Sequence, residues 1–328
     1  MKKIINDPFN VVKDMMYGMA IANPELRIDN QHMFVARKEK PEKVGLVSGG
    51  GSGHEPAHAG YVGPGMLDVA VCGNVFTSPP QDNVLHGIHE ANTGKGVLLI
   101  IKNYSGDIMN FEMAKEFAEL EGIKVKSVVV RDDVAVPDST YSTGRRGISG
   151  TIFVHKIAGA CAEQGASLVQ VYDVAMKTIN NLRSMGMAMS PCILPSVGKP
   201  SFYIDEDEMV MGMGIHGEPG VRKGKMKTAA GIANELCSTI LADYDYTNSN
   251  TAVMINGLGS TTLMELNILV GEVSKILDKS NIRVHKYMVG NFMTSLEMSG
   301  CSLSILKLDD ELASLLDAPC DTPALRQR

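Results

Sequence analysis

Ser48-Gly49-Gly50-Gly51-Ser52-Gly53-His54-Glu55-Pro56 gathers chemistry into one short segment: four glycines in five positions, then an imidazole and a carboxyl. It follows the apolar run Val44-Gly45-Leu46-Val47, which reads as a buried strand. Glycine reaches φ > 0 without steric cost, and its missing Cβ lets a ligand lie against bare backbone N–H groups. Pro56 suits the first turn of a helix, where an absent N–H is no loss. The expectation is strand, glycine cradle, histidine, helix, with the titratable group at the lip of a small-molecule site. A plain turn with an incidental histidine is the bland alternative.

His54-Glu55-Pro56-Ala57-His58 also spells H-E-x-x-H, the zinc-protease signature. That motif needs both histidines one turn apart within a helix, whereas His54 follows the glycine run and the helix is expected to start at Pro56. No metal site is therefore assigned. His86 and His89, spaced i, i+3, and His155 fall in helical stretches and read as structural.

Gly212-Met213-Gly214-Ile215-His216-Gly217-Glu218-Pro219-Gly220 again sets a histidine between glycines after a short strand. Neutral imidazole is a competent nucleophile towards a carbonyl. Asp107 follows the run Gly96-Val-Leu-Leu-Ile-Ile-Lys102 and is either a helix N-cap or a carboxylate that takes a proton or orients a hydroxyl. Lys102 either snorkels to solvent or donates to a substrate oxygen. Nucleotide loops are missing: Gly94-Lys95, Gly198-Lys199 and Gly224-Lys225 are not followed by Ser or Thr, and His54 breaks G-x-G-x-x-G.

The elements that must position these groups alternate. Strands are expected over 67–72, 96–102 and 125–130. Helices are expected from Ser78-Pro79 to about 92, over 108–121, 150–164 and 167–185. This is an α/β pattern with a doubly wound, mainly parallel sheet, in which ligands bind beyond the carboxyl ends of the strands. His54, Ser78, Lys102 and Asp107 all lie there. Prolines 191, 195 and 200 break the pattern, which suggests an N-terminal α/β domain over 1–185 carrying the cradle and a C-terminal α/β domain over 186–328 carrying His216. The second part has strands over 208–214, 252–256, 283–289 and 302–308, helices over 225–243 and 261–277, and an extended tail over 317–328.

A formal charge of −6 without a basic block argues against nucleic acid as the main ligand. No apolar run approaches the ~18 residues of a membrane helix. The N-terminus turns polar too early for a signal peptide. The six cysteines (72, 161, 192, 237, 301, 320) form no C-x-x-C pair and read as reduced thiols of a cytoplasmic protein.

Residues 48–60, Val71-Cys72-Gly73-Asn74-Val75-Phe76, Lys102-Asn103-Tyr104-Ser105-Gly106-Asp107, Gly144-Arg145-Arg146-Gly147 and 214–220 closely resemble the substrate-binding subunits of dihydroxyacetone kinases, the DhaK family. The likeness runs through Asp321-Thr322-Pro323-Ala324. It implies that His216 captures dihydroxyacetone as a covalent hemiaminal through its far ring nitrogen. It further implies that His54 is the general base and that Asp107 assists as acid/base. Substrate oxygens would be held by Gly51, Ser52, Gly53, Ser78, Lys102 and Asp107. Ser105 stands where many relatives have Thr. The resemblance also implies no cofactor on this chain: Mg-ADP/ATP would be carried by a separate DhaL subunit, recharged from phosphoenolpyruvate through DhaM. A homodimer is expected. The alternative is the family's noncatalytic dihydroxyacetone sensor, coactivator of a transcription regulator; a generic carbonyl-binding protein is more distant.

Overall fold

The computed structural model describes residues 2–137, 144–218 and 220–328. A first sheet is built from β1 (Leu26–Asp29), β2 (Phe34–Arg37), β3 (Gly45–Ser52), β4 (Val69–Val75), β5 (Val97–Lys102) and β6 (Val125–Val130). Their spatial order is β1-β2-β4-β3-β5-β6. β4, β3, β5 and β6 run parallel, and the β1-β2 hairpin adds an antiparallel edge. The doubly wound, mainly parallel arrangement expected from the alternation is present.

Period-two geometry sorts β5 between two cores. Val97, Leu99 and Ile101 pack towards α2 (Gln81–Ala91) and α3 (Ser105–Leu120). Leu98 and Ile100 face the opposite core, against α4 (Thr151–Glu163) and α5 (Leu168–Asn180). Lys102 shares their phase and is 0% exposed, so its ammonium is carried into the interior.

The second sheet comprises β7 (Leu182–Ala188), β8 (Glu208–Met211), β9 (Arg222–Lys225), β10 (Asn250–Gly257), β11 (Arg283–Gly290) and β12 (Gly300–Leu308). They are ordered β11-β10-β12-β7-β8-β9, with only β10 and β11 parallel. Residues of α6 (Ala229–Asp243) and α7 (Leu263–Lys279) share one core with this sheet. Residues of α4, α5 and α8 (Asp310–Asp317) form a core common to both sheets, and α4 is buried from Thr151 to Ala162. A further helix, α1 (Val11–Ala22), precedes β1. All six cysteines are free and buried.

Several local expectations give way to long-range pairing. The helix expected over 167–185 ends at Asn180, because Leu182 to Ala188 are held in register opposite β12. The 185/186 division therefore falls inside β7. No α-helix starts at Pro56: the carbonyls of Gly53, His54 and Glu55, which would have opened its ladder, accept hydrogen bonds from Leu296 N, Thr294 N and Thr294 Oγ1. Only a short 3-10 turn, Ala59–Tyr61, follows. The strand itself runs on through the glycines to Ser52, since a Cβ at Gly49 would collide with the Val71 carbonyl of β4. Nor is the tail extended; β13 (Cys320–Asp321) and β14 (Arg326–Gln327) pair, and Ala324 N donates to Gly60 O.

Candidate active site

The site forms beyond the carboxyl ends of β3, β4 and β5, where the loop after β8 and the segment around Thr294 close over it. Gly50 sits at φ +144, and a Cβ there would strike Lys102 Nζ. Gly53, at φ +100, lies against the Phe76 ring and Leu296. Glycine at these two positions is what lets the strand end pass so close to its neighbours. Ser52 is committed to the fold through its Oγ, which donates to Gly73 O at 2.8 Å.

His54 is fully buried, and its Nδ1 donates to the Thr294 carbonyl at 2.8 Å. That bond fixes the tautomer and leaves the lone pair on Nε2. Among the described residues Nε2 has no hydrogen-bond partner. Burial, with the charges of His216 and Lys102, pushes its pKa well below the usual histidine value. The product is a neutral imidazole with a bare acceptor, as a general base requires.

His216 meets His54 edge to face, with ring centroids 4.7 Å apart. Phe76 and Tyr104 flank it at 5.3 and 4.5 Å. Glu218 clamps it twice: Oε1 lies 3.0 Å from Nδ1, and Oε2 accepts the His216 backbone N–H at 3.0 Å. Burial alone would raise the Glu218 carboxyl, but the hydrogen bond and charge of His216, then Arg146, hold it down at about 2. An ionised Glu218 makes Nδ1 the donor and leaves the lone pair on Nε2. Arg146 in turn binds Asp133 at 2.6 Å and the Gly212 carbonyl at 2.7 Å, anchoring the loop that carries His216.

Lys102 Nζ lies 3.0 Å from Gly49 O, 3.1 Å from His58 Nε2 and 3.3 Å from Asp107 Oδ2. Asp107 is buried in the first turn of α3, whose N-cap is Tyr104, so the capping expectation is not met. Ser78 is half-buried against Gly106, and Asn110 Nδ2 donates to its Oγ at 3.3 Å. It does not cap α2, whose N-cap is Pro80. A cavity of about 520 Å³ opens beside Ser52, Gly53 and Glu55, next to residues 3–6; it does not include His54, Asp107 or His216.

His54 and His58 do not converge: one ring engages Thr294, the other Lys102 and His155. His86 stacks on His32 at 3.5 Å, and these two with Asp82 form the one group of three His, Cys, Asp or Glu among the described residues whose donor atoms all lie within 4.8 Å of one another. Glu218, Thr294, Tyr104 and the His58–His155 pair were not assigned roles from sequence. Glu218 was visible within its glycine-flanked motif; Thr294, contributing only backbone and a hydroxyl from far along the chain, gave no signal.

Residues 17–324 match the Dak1 domain, and the chain belongs to that family. Among its relatives, dihydroxyacetone-binding subunit DhaK of the PTS-dependent dihydroxyacetone kinase 1 from Listeria innocua is 48% identical over 99% of this chain and 100% of its own. The DhaK subunit of the PEP-dependent kinase from Escherichia coli is 40% identical over 99% of both chains. Two solved structures are close. The dihydroxyacetone kinase of C. freundii superposes with TM-score 0.93 at 36% identity, over 99% of this chain and 60% of that one. The dihydroxyacetone kinase operon co-activator DhaQ gives 0.92 at 38% identity, over 96% of this chain and 98% of that one. No helix among the described residues is long and apolar enough to cross a membrane.

Proposed function

We propose that this chain is the dihydroxyacetone-binding subunit of a phosphoenolpyruvate-dependent dihydroxyacetone kinase. The observation that carries the reading is the pair of facing imidazoles, His54 and His216, each with Nδ1 committed and Nε2 left for chemistry. His216 Nε2 adds to the ketone carbon: a C–N bond forms, the C=O π bond breaks, and the oxygen becomes a hydroxyl. The ring loses its Nδ1 proton through Glu218 to solvent and the alkoxide takes one proton from solvent, so the addition is proton-neutral overall. Capture sorts ketone from glycerol, a distinction that size alone makes weakly. His54 Nε2 then takes the proton of the terminal hydroxyl as its oxygen attacks phosphorus and the bond to the leaving nucleotide breaks. Asp107, held by Lys102, assists as acid/base, and Gly51, Ser52, Gly53 and Ser78 line the substrate.

The phosphoryl group comes from Mg-ATP on a DhaL partner recharged through DhaM, in a cytoplasmic, homodimeric assembly. The chain divides into two units, one per six-stranded sheet, with the division ahead of β7. Reconstitution with DhaL and DhaM, following dihydroxyacetone phosphate formed from phosphoenolpyruvate, tests the reading. Binding without turnover would favour the second reading, a dihydroxyacetone sensor, which the likeness to the co-activator supports.

A further inference from the structure

Behind the site lies a buried polar chain of which the proposed reaction uses only Lys102. Lys102 Nζ is 3.1 Å from His58 Nε2, and His58 Nδ1 is 2.9 Å from His155 Nε2. Lys102, His58 and His155 are all at most 6% exposed. An ammonium has no acceptor capacity, so it must donate to His58 Nε2. His58 then carries its proton on Nδ1 and donates it to His155 Nε2, which leaves the His155 proton on Nδ1. That last nitrogen is buried without a partner among the described residues, so the chain ends there. The hydrogen-bond direction is fixed throughout by one positive charge.

We propose that His58 and His155 are positioning residues that aim Lys102 into the substrate site. This rests on the kinase reading above. A lysine ammonium is a point charge on a flexible stem with three rotatable donors. Two of its protons are held here, by Gly49 O at 3.0 Å and by His58 Nε2. Tetrahedral geometry then dictates the third, which points to Asp107 Oδ2 at 3.3 Å, the longest of the three contacts. That proton is the one an incoming substrate hydroxyl can share.

His155 acts one step further back. Without its acceptor nitrogen the Nδ1 proton of His58 loses its 2.9 Å partner, and only the charge of Lys102 still favours the Nδ1–H tautomer. The remaining acceptor, Ser48 Oγ, whose own proton goes to Ile100 O at 2.7 Å, lies 3.5 Å away and is a weaker partner. A His58 protonated on Nε2 would face the ammonium donor to donor and turn Lys102 away. The chain is rigid because His155 sits on α4, within its fully buried stretch. Burial and the charge of Lys102 hold both imidazoles neutral: the His58 pKa lies well below the usual value, with His155 and His54 adding to the shift, and that of His155 falls to about 3.

The test compares His155→Leu with His155→Gln and His58→Leu with His58→Gln, assayed with DhaL and DhaM and checked for folding by thermal melting. Misplacing a substrate-contacting group by about 1 Å can cost ~10²-fold in rate. Both Leu variants should therefore lose about that much kcat while melting cooperatively, and the Gln variants, which restore an acceptor, should recover most of it. Equal activity of Leu and Gln variants would overturn the proposal. Ring ¹⁵N shifts of the free wild-type protein decide it independently of turnover: His58 and His155 should both be Nδ1–H tautomers that do not titrate between pH 5.5 and 8. A proton on Nε2 of either ring would overturn the relay, whereas absence of wild-type turnover with a correct tautomer pair would overturn only the kinase reading.

Discussion

Glu218 Oε1 lies 3.0 Å from His216 Nδ1, and its other oxygen holds the backbone N–H of the same histidine. One carboxylate thus fixes both the position and the tautomer of the ring. Because Glu218 is held at about 2, it stays ionised at neutral pH, and the His216 lone pair is confined to the far nitrogen.

Incubation with dihydroxyacetone should add one substrate mass to the wild-type chain, located on His216. Glycerol, with no carbonyl carbon, should add none, and His216→Ala should remove the adduct. Intact mass after mild trapping reads all three; an adduct that survives in His216→Ala would place the nucleophile elsewhere.

His54→Asn should lower reconstituted phosphorylation by about 10²–10⁴-fold, the usual contribution of a general base. Adduct formation should persist, since His216 and Glu218 are untouched. Wild-type turnover in this variant would move the base to Asp107.

Glu218→Gln should change the acid stability profile in a defined sense. The folded carboxyl sits near 2, below its ordinary 4.5, so its stabilisation is complete above about pH 4.5 and fades as pH falls towards 2. The melting-temperature difference between wild type and variant should shrink as pH falls below 4.5. A constant difference down to pH 3 would show that the carboxylate charge is not what stabilises the loop.

His54, His58 and His155 are buried neutral, each with its pKa depressed. Depressed histidines stabilise the fold above their unfolded value of about 6.5, and that stabilisation is lost as pH falls below it. Each adds a slope of about 1.4 kcal/mol per pH unit below 6.5. Urea unfolding between pH 5 and 6.5 should show roughly this slope lost in His155→Phe; an unchanged slope would mean that His155 is charged in the folded state.

Gly50→Ala should cost about 1–3 kcal/mol from overpacking, with further strain from its positive φ. Its new methyl meets Lys102 Nζ, so activity should fall further than stability does. Denaturant titration and turnover measured together separate the two, and an active, destabilised variant would argue against a placed ammonium.

Local chemistry made much of this site legible. The glycine run, His54, His216 and Asp107 announce themselves because titratable groups held at strand ends need unusual backbone and unusual residue types close by. Strand β5 was plain, since a strand covered on both faces is a nearly continuous apolar run, while β3 and β6 showed through shorter apolar stretches. By contrast, β7 looked like the end of a helix, and the turn after His54 looked like the start of one.

What the sequence determined by itself was the inventory: an α/β chain, two glycine-flanked histidines, a lysine and a carboxylate at strand ends. Only the tertiary structure decided what those groups do to one another. Thr294, remote in sequence, takes the His54 proton position and the backbone carbonyl that would have started a helix. α4 brings His155 to His58, and through it aims Lys102. Such choices depend on which carbonyl or ring nitrogen arrives at a buried polar atom from elsewhere in the chain. A buried donor must find an acceptor wherever the fold supplies one, and no local spacing encodes that distant partner.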